Sequence, residues 1–365
     1  PHRPFGLRFL MIAVALSGGR DSLLALALLK ESGRDVVGVH GRFLDDAPGR
    51  PPHAALAEEL AARCASLGAD FYSIDLRHDF ARLVIAPFVR AYAGGQTPSP
   101  CCLCNASLKF GLLLDRAQGV GAAHIATGHY ARLAHGPDGT ALLRGADHGK
   151  DQSYFLSLVK AGRLARAEFP LADWSKSHVM DELAARGLPP PLPGESQEVC
   201  FVPGDDYHAF LEAQGTPLPG PGPILLQDEA GREREIGRHQ GLWRHTEGQR
   251  RGLGVAHAEP LYVLRKDAVR DALIVGTAKL ARCAGVRAAQ VNLLVPPQQW
   301  PKTVFAKCRS RQTPTPARAV LHGEALDIAF ATPGQLPAPG QIAALYDEDG
   351  RVLAGGVIDA VRLAG

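Results

Sequence analysis

Apolar runs of strand length alternate with apolar helical segments over the first half of the chain. Residues 9–16 (FLMIAVAL) form a continuous apolar run, which is typical of a strand buried on both faces. Residues 21–33 (DSLLALALLKESG) then have the composition of a buried helix that ends at a glycine. Because this alternation continues, it predicts a parallel sheet covered by helices on both faces. The further segments are 35–40, 53–68, 69–75, 108–121 and 124–130.

The pattern changes after about residue 205. A Pro- and Gly-rich stretch at 215–226 (GTPLPGPGPILL) predicts a linker. Beyond it, short runs of alternating apolar and polar residues are separated by turn residues, as in small barrels. We therefore predict an α/β domain with a parallel sheet over residues 1–205, a central small β-rich domain over 206–270 and a C-terminal β-barrel over 271–365.

The bulk composition suits a globular protein. The chain has 365 residues, of which 46% are apolar and 21% are charged, enough for a core in each of two or three domains. No apolar run approaches the roughly 20 residues that span a membrane. The first residues, PHRPFGLRFL, lack the apolar core of a signal peptide. We therefore expect a cytoplasmic protein without a membrane partner.

Cysteine usage argues against a disulfide scaffold, because seven cysteines are few for this length and odd in number. Three of them lie within residues 98–105 (PSPCCLCN). In a reducing compartment, such clustering more often serves metal or redox chemistry. The isolated Cys64, Cys283 and Cys308 are expected to be small buried or surface residues.

The positive charge is unevenly distributed. The net charge is only +3, but residues 272–323 contain no acidic side chain. Such a stretch suits a polyanionic partner, although a solvated basic surface is an equally good interpretation of charge alone. The basic residues of this stretch are Lys279, Arg282, Arg287, Lys302, Lys307, Arg309, Arg311 and Arg318.

Residues 15–22 (ALSGGRDS) lie where the first predicted strand meets the first predicted helix. The backbone N–H groups of Gly18 and Gly19 can approach a phosphate, and the helix adds the positive end of its dipole. Asp21 can cap the helix or hold Mg²⁺. The loop is neither a Walker A sequence nor GxGxxG. SGGxDS after a buried strand is the PP-loop signature of enzymes that split ATP between its α and β phosphates, whereas a plain turn is the bland alternative.

Eight further blocks follow this loop: TPSPCCLCNASLKFGLLL, ATGHYARL, LLRGADHGKDQSYFL, FPLADWSKSHV, EVCFVPGDDYHAFL, IGRHQGLWRHTEGQRRGLGV, RSRQTP and PGQIAALYD. With ALSGGRDS, they resemble the bacterial tRNA-specific 2-thiouridylase family (MnmA/TrmU), in order and over nearly the whole chain. The resemblance implies a tRNA-uridine 2-sulfurtransferase in which ATP adenylates the C2 oxygen of the wobble uridine. A persulfide on Cys200 then attacks C2, and Cys104 frees the sulfur by forming a disulfide with Cys200 while AMP leaves. A sulfur-donor protein or a sulfide source is the further partner.

The resemblance also assigns roles position by position. In this assignment the candidate catalytic residues are Cys104, Cys200, Cys101 and Asp21. ATP would be bound by Ala15, Leu16, Ser17, Gly18, Gly19, Arg20, Asp21, Ser22, Gly41 and Gly128, where Gly41 replaces the methionine of the family. The tRNA would be contacted by Ser99, Pro100, Cys101, His129, Lys150, Asp151, Gln152, Arg309, Ser310 and Gln341.

Two positions depart from the family. Arg20 stands where a small apolar residue is usual, and Cys101 stands where the family commonly has an aspartate, so that Cys101 and Cys104 form CxxC. Three thiolates, from Cys101, Cys104 and Cys200, resemble the ligands of iron–sulfur-dependent RNA thiolases of the same PP-loop class. We therefore expect a 4Fe–4S cluster on these three residues, with Zn²⁺ and the two-thiol persulfide route as alternatives.

Two other functions remain open on sequence alone. The first is a PP-loop ligase that adenylates a small metabolite, and the second is a non-catalytic RNA-binding relative. The presence of SGGxDS, Cys104 and Cys200 counts against the second.

Overall fold

The chain forms two compact units from interleaved stretches in the computed structural model. The first unit comprises residues 1–83 and 103–197, and the second comprises 84–102 and 198–365. The structure describes residues 11–47, 51–137, 139–192, 194 and 199–364.

The strands of the first unit are β1 (Ile12–Ala15), β2 (Val36–Arg42), β3 (Asp70–Asp75), β4 (His124–Ala126), β5 (Ala131–Gly136), β6 (Gly139–Arg144) and β7 (Ala167–Glu168). Within the described residues, five of them form one sheet in the order β3-β2-β1-β4-β7. All four pairings in it are parallel. The strands β5 and β6 pair with each other as an antiparallel hairpin.

Helices pack on this sheet through apolar side chains. Leu26 and Leu60, from two different helices, share one core cluster with Ile12 and Val14 of β1. The continuous apolar run therefore becomes a strand that is covered by helices. The helices are α1 (Arg20–Glu31), α2 (His53–Ser66), α3 (Arg77–Phe80), α4 (Ala86–Ala93), α5 (Pro100–Leu103), α6 (Leu114–Gln118), α7 (Ser153–Leu156), α8 (Ala161–Leu164), α9 (Val179–Ala185) and α10 (Tyr207–Ala213). Of these, α4, α10 and all of α5 except Leu103 belong to the second unit. Wider π-helical segments span Ala81–Ile85 and Cys104–Leu113.

The second unit contains a small sheet and a barrel. The small sheet consists of β8 (Gly222–Gln227), β9 (Glu233–His239), β10 (Leu261–Asp267) and β11 (Ala272–Thr277), in the order β10-β11-β8-β9. In the described part of the chain, six strands close the barrel in the order β12-β15-β14-β13-β16-β17. They are β12 (Arg282–Leu293), β13 (Val304–Lys307), β14 (Thr315–His322), β15 (Ala325–Gln335), β16 (Ile342–Tyr346) and β17 (Val352–Leu363).

The predicted fold class is confirmed: a parallel α/β sheet is followed by a small β-rich sheet and a closed barrel. Three local predictions differ from the structure. The strand predicted at 9–16 is Ile12–Ala15, with residues 9 and 10 outside the described residues. The helix predicted at 108–121 starts at Cys104 and bends at Gly111, whose ψ is −107°. The linker predicted at 215–226 ends in β8, because its last residues are apolar and pair with β9 and β11.

No helix among the described residues combines the length and the apolar character that a membrane crossing requires.

Candidate functional site

The loop between β1 and α1 is pre-formed by its own hydrogen bonds. Gly18 has a φ of +87°, and a Cβ at this position would lie 2.9 Å from Leu56 Cδ1, so glycine is needed for both conformation and space. The Ser22 hydroxyl donates to Gly19 O at 2.9 Å and accepts from Ser17 N at 3.2 Å. The loop therefore presents backbone N–H groups at the amino end of a 12-residue helix, which favours an anion.

Asp21, the acidic residue of this loop, is held from two sides. The Tyr130 hydroxyl donates to Asp21 Oδ1 at 2.8 Å, and Lys176 Nζ donates to Asp21 Oδ2 at 2.5 Å. Burial raises the pKa of Tyr130, so its hydroxyl stays protonated and can donate. The Lys176 side chain is only 10% exposed. A largely buried ammonium group thus lies directly beside the loop.

Sequence reasoning did not select Tyr130 or Lys176, although both lie in blocks that carry the family resemblance. Tyr130 is part of ATGHYARL, and Lys176 is part of FPLADWSKSHV. The signal was therefore present, but only the folded chain shows that both side chains converge on Asp21.

Two predicted nucleotide contacts are glycines with close neighbours. A Cβ on Gly128 would lie 2.7 Å from the backbone carbon of Asp21, so the fold places Gly128 against the loop. A Cβ on Gly41 would lie 2.9 Å from Phe43 Cε1. Phe43 stacks on Phe80 with ring centroids 5.4 Å apart. The ring of Phe43 therefore fills the space into which a side chain at position 41 would point.

The cysteines of the CCLC cluster differ in their environments. Cys101 is exposed, whereas Cys102 is fully buried and Cys104 is nearly so. The Cys102 Sγ lies 3.2 Å from Ser99 Oγ, and burial raises the pKa of the Cys102 thiol to about 12. Cys102 is therefore a protonated packing residue, which assigns a role to the middle cysteine. Cys104 begins the helical segment Cys104–Leu113, and the next residue, Asn105, donates to Phe155 O at 3.0 Å.

Cys200 is exposed next to a buried aromatic anchor. The adjacent Phe201 is buried and packs edge-on against Phe88 of α4, with ring centroids 5.1 Å apart. Phe210 of α10 lies 5.4 Å from Phe201 in the same cluster. The neighbouring residue therefore anchors the turn while the Cys200 thiol stays accessible.

The predicted tRNA-contacting residues Lys150, Asp151 and Gln152 form a turn with divided roles. Lys150 is exposed. The Asp151 carboxylate is buried and accepts from Gly145 N at 3.2 Å, Ser153 N at 3.1 Å and Ser153 Oγ at 3.0 Å. Gln152 Oε1 accepts from the backbone N–H of Tyr130 at 3.0 Å. Asp151 thus organises the turn, and its predicted contact with tRNA stays a prediction.

His129 is also buried. Its Nδ1 lies 2.7 Å from Thr127 Oγ1, and its ring packs against Phe110 and Phe169. Burial lowers the pKa of His129 well below its ordinary value, so the ring is neutral.

The predicted tRNA-contacting residues of the barrel are partly engaged by protein. Arg309 Nη2 donates to Leu336 O and, at 3.2 Å, to Glu247 O. Gln341 Nε2 donates to Thr97 O at 2.8 Å. Ser310 is half-buried, whereas Ser99 and Pro100 are buried. Their predicted contacts with tRNA stay predictions.

The described residues contain no group of three or more His, Cys, Asp or Glu side chains arranged to hold a metal ion. The structure therefore offers no observation that fits an iron–sulfur cluster or Zn²⁺ on Cys101, Cys104 and Cys200, and that ligand set stays a prediction. No disulfide links the seven cysteines, all of which lie in described parts of the chain.

Three family models match consecutive parts of the chain. The models described as tRNA methyl transferase HUP domain, tRNA methyl transferase PRC-barrel domain and Aminomethyltransferase beta-barrel domain match residues 10–204, 208–277 and 284–358.

Curated relatives match almost end to end. The tRNA-specific 2-thiouridylase MnmA of Nitratidesulfovibrio vulgaris (strain DSM 19637 / Miyazaki F) is 53% identical over 95% of this chain and 98% of its own. That of Lawsonia intracellularis is 45% identical over the same shares. Among solved structures, the U34-tRNA thiolase NcsA from Methanococcus maripaludis with its 4Fe–4S cluster covers 56% of this chain and 64% of its own, at 14% identity and a TM-score of 0.35. So weak a likeness says nothing about ligands.

Proposed function

The chain belongs to the tRNA-specific 2-thiouridylase family, and on that premise we propose that it is an ATP-dependent sulfurtransferase that converts the wobble uridine of tRNA to 2-thiouridine. The observation that carries the proposal is the 53% identity to a curated 2-thiouridylase over 95% of this chain. Methyl transfer, which two of the model names mention, has no counterpart among the names of the curated relatives cited above.

We propose that ATP binds at residues 15–22, with its phosphates on the N–H groups around Gly18 and Gly19. The left-handed Gly18 and the start of α1 support this assignment. The uridine C2 oxygen attacks the α-phosphate, and the bond to the β-phosphate breaks to release pyrophosphate. Lys176 can then neutralise phosphate charge beside the loop. Asp21 would hold Mg²⁺ through its carboxylate, and the ion would supply positive charge beside the phosphates.

For sulfur transfer we propose the persulfide route and derive no step through an iron–sulfur cluster. The terminal sulfur of a Cys200 persulfide attacks C2, and the C2–O bond breaks to release AMP. The Cys104 thiolate then attacks Cys200 Sγ, which leaves the sulfur on C2 and forms a Cys104–Cys200 disulfide. After a thiol reductant restores the cysteines, a sulfur-donor protein that itself carries a persulfide reloads Cys200 by transferring its outer sulfur. A sulfide source instead reloads it before reduction: the sulfide attacks Cys200 Sγ of the disulfide, which forms the Cys200 persulfide and releases the Cys104 thiolate. The exposure of Cys200 supports such reloading.

We further propose tRNA as the polyanion that the exposed basic residues of 272–323 attract, and the cytoplasm as the location. The division into domains at residues 205 and 270 is likewise a proposal.

The test is to measure the products of ATP cleavage with and without unmodified tRNA. We expect AMP and pyrophosphate as products, formed in step with 2-thiouridine when a sulfur source is present. Asp21→Ala should lose ATP cleavage and thiolation while it retains the fold. ADP as the main product would refute the nucleotide assignment. AMP release that requires a small metabolite instead of tRNA would favour the ligase, and tRNA binding without any cleavage would favour the non-catalytic relative.

A further inference from the structure

The four residues that precede the cysteine cluster, Thr97–Pro100, are tied to the barrel by backbone and side-chain hydrogen bonds. Thr97 N donates to Pro339 O at 2.8 Å. Gln341 Nε2 donates to Thr97 O at 2.8 Å and to Pro98 O at 3.1 Å. One amide group thus bridges two successive carbonyls. We call residues 97–100 the anchored segment.

The turn that carries Gln341 is itself fixed to a barrel strand. Gly340 N donates to Ile358 O in β17 at 2.8 Å, and Ile358 N donates to Gln341 O at 2.8 Å. Gly340 has a φ of +93°, and a Cβ there would lie 2.9 Å from Thr97 O. Any side chain at position 340 would therefore be strained and would push Thr97 away.

A second tie comes from the small sheet. Lys266 of β10, whose side chain is 2% exposed, donates from Nζ to His245 O at 2.9 Å and to Thr97 Oγ1 at 3.4 Å. Its ammonium group also lies 3.5 Å from Glu247 Oε2, and the Glu247 side chain is 4% exposed. A buried charge pair thus holds the Thr97 hydroxyl while the barrel holds its backbone.

We infer that Gln341 is a positioning residue for the reaction: it sets the backbone of the anchored segment and thereby the placement of Ser99, Pro100 and the cysteines that follow. A primary amide nitrogen has two hydrogens, and both are used on Thr97 O and Pro98 O. The nitrogen of Gln341 therefore has no hydrogen left for RNA. The catalytic consequence of this inference rests on the proposed function, whereas the anchoring itself does not.

The test measures alkylation of each cysteine by iodoacetamide, by peptide mass spectrometry, without ATP or tRNA. Cys102 lies just beyond the anchored segment and is 0% exposed, so it reports release of this segment. Gln341→Glu replaces the donating amide by an acceptor. We expect Cys102 to react about 10-fold faster in this variant, because the segment opens locally. Cys283 and Cys308, which are buried in the barrel, should stay protected and so exclude general unfolding.

Two matched controls accompany this variant. Gln335→Glu makes the same change at an exposed residue of β15 and should leave Cys102 protected. Gly340→Ala should expose Cys102, whereas Gly334→Ala should not, because a Cβ at position 334 meets nothing within 4 Å.

The rate of thiolation of saturating tRNA should fall about 10-fold in Gln341→Glu, while the Kd for tRNA stays within about twofold of the wild-type value.

Several results would overturn the inference. Unchanged protection of Cys102 in both Gln341→Glu and Gly340→Ala would show that the ties do not hold the segment. Equal exposure of Cys102, Cys283 and Cys308 would show a general loss of structure. Weaker tRNA binding with Cys102 still protected would make Gln341 an RNA contact. Exposure of Cys102 without any thiolation in the wild-type protein would instead retain the anchoring and refute the proposed function.

Discussion

Lys176 donates from Nζ to Oδ2 of Asp21 at 2.5 Å, although 155 positions separate the two residues in the chain. Its side chain is 10% exposed, so the ammonium group is largely withdrawn from water at the edge of the SGGRDS loop. A cation in that environment interacts more strongly with phosphate charge than one in water does. Lys176 therefore brings a positive charge to the loop that the loop sequence itself does not reveal.

Replacing Lys176 by methionine should slow pyrophosphate release by about 10²-fold, the effect of losing one well-placed charge donor at a reacting group. Methionine keeps most of the length of the side chain and removes its charge together with the hydrogen bond to Asp21. The measurement is single-turnover release of pyrophosphate with tRNA bound. Lys160→Met, at an exposed lysine of the same unit, is the matched control and should release pyrophosphate at the wild-type rate. A rate within twofold of wild type in Lys176→Met would contradict a role at the phosphates.

The effect of replacing a cysteine on thiolation should differ between the buried Cys102 and the two cysteines of the persulfide route. Burial raises the pKa of Cys102 to about 12, so this thiol is protonated and a poor nucleophile near neutral pH. We expect Cys102→Ala to retain thiolation within about twofold and to lose about 1 kcal/mol of stability from the small cavity. Cys104→Ala and Cys200→Ala should both abolish 2-thiouridine. In Cys200→Ala, pyrophosphate should still be released once, because adenylation precedes sulfur attack.

Cys101 separates the persulfide route from the iron–sulfur cluster. On the persulfide route, protein purified anaerobically is colourless and active without iron, and Cys101→Ala and Cys101→Asp both keep activity. Iron content and thiolation activity are the two measurements. If iron and activity were lost together in Cys101→Ala, the cluster on Cys101, Cys104 and Cys200 would replace the persulfide route.

tRNA binding should depend on the exposed cations more than on Arg309. Lys150 and Arg311 are exposed, whereas Arg309 donates to the backbone carbonyls of Glu247 and Leu336. We expect the Lys150→Ala, Arg311→Ala double variant to reduce the slope of log K against log salt by about 2, one for each lost phosphate contact. Arg309→Ala should instead lower the unfolding temperature. Arg232→Ala, at an exposed arginine paired with Asp228, is the control for charge alone. An unchanged slope in the double variant would place the RNA surface elsewhere.

The sequence predicted strands best where each strand is buried either on both faces or on one face only. Continuous apolar runs became the covered strands of the parallel sheet, and short alternating runs became the barrel, because these patterns follow directly from which faces are buried. The strand β8 was missed since proline and glycine surround it, although its partners in the sheet supply its hydrogen bonds.

The sequence segments that form the candidate site could be predicted, but the contacts between their side chains could not. The resemblance predicts the nucleotide loop, the reactive cysteines and RNA contacts for Asp151 and Gln341, and these roles stay predictions. In the fold, the Asp151 carboxylate is enclosed by its own turn, and Gln341 ties Thr97 and Pro98 to the barrel. Neither role leaves a local signal, because each depends on a neighbour brought near by folding.

A last prediction concerns the pH dependence of stability, which His245 of the small β-rich region should influence. Burial, and to a smaller extent the neighbouring His239, Lys266, His208 and Arg244, lower the pKa of His245 to about 4. Its Nδ1 is a buried atom without a hydrogen-bond partner. The ring is therefore neutral in the folded protein down to a lower pH than in the unfolded chain.

The folded pKa of His245 lies below the unfolded value of about 6.5. The contribution of His245 to the free energy of unfolding is therefore complete above about pH 6.5 and is lost as the pH falls toward 4. Between pH 7 and pH 5 the loss attributable to His245 should be about 2 kcal/mol. Phenylalanine cannot titrate. Between pH 7 and pH 5, the free energy of unfolding of His245→Phe should therefore fall by about 2 kcal/mol less than that of wild type. The measurement is urea unfolding followed by the fluorescence of the buried Trp243, with Trp174 and Trp300 replaced by phenylalanine. His257→Phe, at an exposed histidine of the same region, should behave as wild type. Equal losses in wild type and His245→Phe would show that this ring does not set the acid sensitivity.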